Sequence, residues 1–156
     1  MRKKPDFDKD LKIGEKAEEW VKDALLLDSF ALASKGKYHD MIDGQEKIEV
    51  KYDMVAARTG NFFFEVISNI NVGNLGACLY SRADTLCLVL DTDVENKKEM
   101  LFIDMNKLRF LGIEEMVRNH KSIRQVYGNT ACYGVLLRLE KIRRDAKKRI
   151  VTEVKL

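Results

Sequence analysis

Three side chains in the segment HDMIDGQEKIEVKYD, residues 39–53, are able to do phosphate chemistry together: Asp40, Glu49 and Lys51. Hydrolysis of a phosphodiester needs a nucleophilic water, neutralisation of charge at phosphorus and a stabilised leaving oxygen. A hard divalent ion such as Mg²⁺, with Mn²⁺ as a substitute, serves all three needs, and carboxylate oxygens are its natural ligands. Asp40 and Glu49 are the candidate metal ligands. Lys51 is the candidate group for orienting or activating the attacking water and for offsetting negative charge as it develops. Such chemistry requires no serine, cysteine or histidine nucleophile, in a chain whose only histidines are His39 and His120.

Strands must bring these residues together. Ile48 and Val50 alternate with Glu49 and Lys51, the period-two pattern of a half-buried strand, so Glu49 and Lys51 leave the same face of a sheet. Asp43-Gly44 is a hairpin-turn signal between strands expected around 38–43 and 46–53, which sets Asp40 near Glu49 on the neighbouring strand. Residues 9–28 read as a helix, with Ile13, Ala17, Trp20, Ala24 and Leu27 at helical spacing. At about 100° per residue Glu18 borders that apolar arc, whereas Glu15 and Glu19 lie further toward solvent. Glu18 is therefore the helix carboxylate expected to complete the site. By itself an Asp…Glu-x-Lys pattern also fits a solvated strand face with a cross-strand ion pair, so the surrounding elements carry weight.

Those elements follow in order. After a linker near SKGKYH and the hairpin, AARTGN reads as a loop and FFFEVISNI as a third strand, with Phe62, Phe64 and Val66 on one face. NVGNLGACLYSRA is Gly-rich and then suits a short helix, and TLCLVLD is a near-continuous apolar strand, typical of a sheet centre covered on both faces. KEMLFIDM reads as a strand, NKLRFLGIEEMVRN as a helix, and YGVLLRLEKI as a strand running into a basic segment of helix or tail. The expected class is α/β, a central mixed β-sheet flanked by α-helices.

At 156 residues the chain suits one domain, with residues 1–8 expected to be flexible and 140–156 forming a basic C-terminal segment. A hydrophobic content of 46% with 34% charged residues is ordinary for a globular protein. No apolar run approaches the ~20 residues that span a bilayer, and MRKKPDFDKD carries no apolar signal region, so no membrane partner and a cytoplasmic location are expected. Cys78, Cys87 and Cys132 show no CxxC pairing and read as small buried hydrophobes of a reducing compartment. Net charge is +3, but residues 138–156 hold eight Lys or Arg against Glu140, Asp145 and Glu153. Basic ends around an acidic centre suit a polyanion cut at a metal site, and Arg138, Lys141, Arg143 and Arg144 are the candidate DNA phosphate contacts. A solvated tail is the plainer reading of the same charges.

Together these segments resemble the PD-(D/E)xK nuclease superfamily, the restriction-endonuclease-like fold. GEKAEEWVKDALL is similar to the family's opening helix, placing its carboxylate at Glu18 with Glu15 as second choice. HDMI followed by IEVK is similar to the core strand pair, giving Asp40, Glu49 and Lys51, with His39 standing where a proline is common. RTGNFFFE followed by SRADTLCLV resembles a subgroup often encoded by bacteriophages and other mobile elements, which implies Glu65 as a further site residue and the host-cell cytoplasm if the chain is virus-encoded. The resemblance spans roughly residues 12–104 and implies a Mg²⁺-dependent DNA endonuclease. It leaves open a Holliday-junction or branched-DNA resolvase, which would make the chain a homodimer, and a DNA-binding module that keeps the fold without turnover. Thr59, Gly60 and Asn61 form either a phosphate-approaching turn or a plain one, and Asp84 reads as a cap or turn residue.

Overall fold

The computed structural model describes residues 7–27, 39–126 and 131–155. The expected flexible stretch therefore lies outside the described residues except for its last two positions, which begin helix α1 (Phe7–Ala24). The linker at 34–38 also lies outside them.

The helix starts two residues earlier and stops four earlier than its apolar spacing predicts. Leu26 adopts φ 57°, and the amides of Leu26 and Leu27 turn back onto the carbonyls of Asp23 and Lys22, closing the last turn as a left-handed cap. The hairpin follows as β1 (Met41–Asp43) and β2 (Glu46–Tyr52), antiparallel, with Met41 opposite Ile48 and Asp43 opposite Glu46. Gly44 at φ 61° makes the turn that Asp43-Gly44 announces.

β2 then pairs in parallel with β5 (Thr85–Asp91), Glu49 opposite Leu86 and Lys51 opposite Leu88. A parallel pair needs a long crossover. Here it holds a helical turn α2 (Ala56–Thr59), β3 (Asn61–Asn69), β4 (Asn74–Leu75) and another helical turn α3 (Ala77–Tyr80). AARTGN, read as a loop, is largely that first turn. Asp53 Oδ1 accepts the amides of Val55 and Ala56 at its start, and Gly60 at φ 70° closes it.

β6 (Lys97–Asp104) and β9 (Lys148–Glu153) extend the central sheet antiparallel to give the order β1-β2-β5-β6-β9, a mixed sheet with flanking helices as expected. The phenylalanine-rich β3 does not join it. β3 pairs with β8 (Cys132–Arg138) in a second, antiparallel sheet of order β4-β3-β8-β7, where β7 is Ile123–Val126. Both faces of β3 carry large apolar groups, so periodicity alone cannot say which sheet it enters.

β5 is buried on both sides. Cys87 and Val89 join Met41, Ile48, Met100 and Phe102 beneath Ala17, Trp20 and Val21 of α1. Leu86, Leu88 and Leu90 meet Phe62 and Phe64 of β3, Val135 and Leu137 of β8, and Leu108 and Leu111 of α4 (Met105–Arg118). Asp104 ends β6 and caps α4, its Oδ1 accepting the Lys107 amide at 2.9 Å. The C-terminal basic segment is no tail. It forms α5 (Leu139–Asp145) and the edge strand β9, and the Lys155 carbonyl accepts Trp20 Nε1 at 2.9 Å.

Gly112 lies buried on α4 directly over Phe64, and a Cβ there would fall 2.6 Å from the ring. Gly14 on α1 has nothing within 4 Å of the same position. Gly112→Val is expected to destabilise by about 2 kcal/mol through overpacking, and Gly14→Ala to stabilise by up to about 1 kcal/mol through helix propensity. Urea unfolding midpoints measure both, and equal tolerance at the two positions would contradict the packing of α4 on β3.

Candidate functional site

The hairpin register continues past β1. The Asp40 amide donates to the Ile48 carbonyl at 2.9 Å, and the Val50 amide donates to Asp40 Oδ2 at 2.8 Å. Asp40 is thereby fixed across from Glu49, its carboxylate oriented by the backbone of the strand that carries Glu49 and Lys51. Both of these side chains lie on the Leu86–Leu88 face of the sheet, away from α1. Each is half-buried.

The crossover builds the opposite wall. Lys51 Nζ stands 5.3 Å from the centre of the Phe62 ring, a cation–π contact that draws the amine toward β3. Ser81, buried, donates its hydroxyl to Glu49 Oε2 at 3.3 Å. The segment carrying Ser81 is held from α4. Arg109 donates from Nε to the Cys78 carbonyl at 2.9 Å and from Nη2 to the Ser81 carbonyl at 2.5 Å. Gly76 lies against the backbone of Glu65, where a Cβ would fall 2.1 Å from the Glu65 oxygen, so only glycine fits. Cys78 sits among these groups. Burial pushes its thiol up to about 11, with Lys51 pulling down and Glu49 and Glu65 pushing up. Glu65, packed against Gly76 two residues before Cys78, acts on the same thiol as Glu49 and Lys51.

Other expected residues are placed differently. Glu18 is half-buried at the border of α1 while Glu15 is exposed, as the helix register predicts. The buried residues of α1 nevertheless pack on the sheet face opposite to Glu49 and Lys51. The Asp84 carboxylate accepts the Lys47 amide at 2.9 Å, a turn role. The amides of Thr59, Gly60 and Asn61 are taken up by the Val55 carbonyl, the Ala56 carbonyl and Thr59 Oγ1, which makes this segment a helix cap.

The basic candidates are engaged in ion pairs. Lys141 meets Glu115 at 2.9 Å, Arg143 meets Glu99 at 2.7 Å and Arg144 meets Asp145 at 3.0 Å, while Arg138 is exposed opposite Asn61. Glu99 is buried at 4% exposure and also receives Arg149 Nε at 2.6 Å. Burial pushes the Glu99 carboxyl up, but the hydrogen bond from Arg143 and the charges of Arg143 and Arg149 outweigh it and hold it below the usual range.

Ser81 and Arg109 left no sequence signal, because a serine hydroxyl and a guanidinium acting on carbonyls follow no spacing rule. Glu99 did leave one. It shares strand parity with Leu101 and Ile103, so alternation predicts a carboxylate on a buried face.

The donor set at Asp40 and Glu49 is all carboxylate oxygen, which suits a hard ion. Among the described residues no three His, Cys, Asp or Glu side chains gather as a metal cage. Mg²⁺ needs no such cage, since one or two carboxylates with water and substrate phosphate suffice. Also among the described residues, no helix is long and apolar enough to cross a membrane. Compared with known proteins, the chain matches no family model, no curated protein and no solved structure.

Two measurements test this arrangement. Cys78 and Cys87 are buried free thiols raised by burial, whereas Cys132 is half-buried. A thiol-specific reagent at neutral pH is expected to modify Cys132 first and the other two only on unfolding; rapid labelling of Cys78 in the native state would contradict its position behind the site. The depressed Glu99 carboxyl means that the unfolded chain binds more protons in the acid range, so its contribution is complete above the ordinary glutamate value of about 4.3 and is lost as pH falls through the lower folded value. Urea unfolding between neutral pH and about pH 3 should show a shallower loss of stability in Glu99→Gln than in the parent, and parallel curves would refute the pairing.

Proposed function

We propose that the protein is a Mg²⁺-dependent nuclease that hydrolyses phosphodiester bonds in DNA, built on a restriction-endonuclease-like core. One observation carries the reading: Asp40 is locked across a hairpin from Glu49, and Lys51 shares the face of Glu49 on the same strand. The sequence resemblance draws on the same Glu-x-Lys strand and adds the turn and strand that follow.

Asp40 and Glu49 would hold the ion, which when bound polarises a phosphoryl oxygen and makes a water acidic enough to act near neutral pH. The Val50 amide on Asp40 and the Ser81 hydroxyl on Glu49 orient the two carboxylates, the outer contacts that set ligand direction. The Lys51 amine, held against Phe62, hydrogen-bonds the attacking water or a non-bridging phosphate oxygen and offsets the negative charge that grows there. Water adds to phosphorus and gives up a proton, the P–O bond to the leaving oxygen breaks, and that oxygen takes up a proton in its turn. Glu65 and Glu18 are the further carboxylates the resemblance assigns to the site, although the buried residues of α1 pack on the sheet face opposite to Glu49.

The experiment is a cleavage panel of duplex, single strand, flap and four-way junction, with and without Mg²⁺ or Mn²⁺. Metal-dependent cleavage is expected, abolished in Asp40→Asn, and slowed at least ~100-fold in single-turnover rate by Lys51→Ala. Lys51→Arg should not restore the rate in full, since a guanidinium is broader and keeps its proton. A folded protein that cuts none of these substrates, or an Asp40→Asn variant as active as the parent, would overturn the proposal. Preferential cleavage of the junction would select the resolvase.

A further inference from the structure

On the sheet face that carries Lys51, a cleft of about 680 Å³ opens at the far end of the strands. Arg58 of α2, Arg143 of α5 and Arg149 of β9 line it together with Glu99, Met54 and Val151. Glu99 is 4% exposed and receives both Arg143 and Arg149. Arg143 forks onto it, with Nε 3.2 Å from each oxygen and Nη2 2.7 Å from Oε2, and Arg149 adds Nε at 2.6 Å.

One guanidinium is enough to balance a buried carboxylate. Two on a single Glu99, with Arg58 close by, leave positive charge in excess at the cleft. Of the other lining carboxylates, Asp91 is engaged by Lys98 and Tyr52, while Asp93, exposed, offsets one guanidinium, so three arginines face Glu99 and Asp93 and one positive charge is left over. Arg149 stands with Nε 2.6 Å from Glu99 while its side chain is 59% exposed, so its guanidinium also faces the open cleft, where a planar fork suits an anion. Glu99 fixes the guanidiniums in advance, so an anion need not order two flexible side chains on binding.

The apolar part of the lining adds chemical class. Met54 and Val151 are about half exposed, 50% and 53%, in a cleft sized for one small organic ligand. Guanidiniums beside a short apolar wall suit a nucleotide, its phosphate on the arginines and its sugar or base on Met54 and Val151. Arg143 also lines a second hollow of about 350 Å³ with Asn61 and Arg138, so the positive surface continues toward the start of β3. Arg149 shares a rung with Lys51 through Leu101 and Leu88, three strand spacings away, or about 14 Å.

We infer that this cleft is a nucleotide subsite that anchors the bound strand through a backbone phosphate on Arg58, Arg143 and Arg149, away from the reacting centre at Asp40 and Glu49. The identity of the ligand as nucleic acid rests on the nuclease reading; the anion chemistry does not.

The test is fluorescence anisotropy of a labelled DNA oligonucleotide with no divalent metal, across a range of salt. Arg58→Gln and Arg149→Gln should each weaken binding by about tenfold and lower the log–log salt slope by nearly one unit per lost contact. Val151→Glu, which puts a carboxylate on the apolar wall, should weaken binding similarly. Arg118→Gln, an exposed arginine of α4 outside the cleft, removes the same charge and should change affinity far less. If Arg149→Gln fails to fold because Glu99 loses a partner, Arg58→Gln and Val151→Glu still decide. Unchanged affinity and slope in both, an equal loss in Arg118→Gln, or no binding by the parent would overturn the subsite. Cleavage without dependence on Arg58 would remove the subsite and keep the nuclease; Arg58-dependent binding without cleavage on any substrate would do the reverse.

Discussion

β5 has no solvent face. Leu86, Leu88 and Leu90 are buried on one side and Cys87 and Val89 on the other, all at 2% exposure or less. Fully burying each large side chain contributes about 2 kcal/mol relative to leaving it in water, so neither face can be left uncovered. α1 closes one side and the β3–β8 sheet with α4 closes the other. The position of every candidate site residue depends on that double burial. β2 is ordered as the parallel neighbour of β5, and Glu49 and Lys51 leave β2 on the side where the second sheet arrives.

The crossover walls the candidate site with what would otherwise be a connection. A parallel pair cannot be joined by a tight turn, and the intervening chain runs through β3 and the Gly76–Ser81 segment before returning to β5. This brings Phe62 over Lys51 and the Ser81 hydroxyl onto Glu49. Arg109 ties that segment to α4 through two carbonyls, so the wall facing the carboxylates is held by a helix much later in sequence. Gly76 and Gly112 allow the close approach, one against the Glu65 backbone and the other against Phe64.

Electrostatics organise the far end of the same face. Lys98 and Glu99 are consecutive residues of β6 pointing to opposite faces, and each finds a partner of opposite charge on its own side. Lys98 meets Asp91 at 2.6 Å beside the Trp20 and Tyr52 rings. Glu99 gathers Arg143 and Arg149 from α5 and β9. A buried carboxylate without partners would cost several kcal/mol, and this requirement converts a basic C-terminal run into part of the sheet's end wall. The same pairing leaves guanidinium donors at the cleft edge.

The sequence by itself determined the local elements and which side chains share a strand face. Alternation in KIEVKYD put Glu49 and Lys51 together, Asp43-Gly44 made the hairpin, and the continuous apolar run TLCLVLD foretold a strand covered on both sides, because these features depend on neighbours within a few residues. The arc of α1 likewise set Glu18 at its border and Glu15 in solvent. Tertiary structure alone decided which sheet β3 joins, since Phe62, Phe63 and Phe64 supply apolar groups to both faces and pairing energy is settled between distant segments. It alone decided that α1 lies behind the sheet from Glu49, that Ser81 meets Glu49 on a segment Arg109 holds, and that Arg143 and Arg149 converge on Glu99. Charge and hydrogen-bond partners chosen across 28 or more positions follow no sequence period; they are selected by the cost of leaving a buried polar group unpaired.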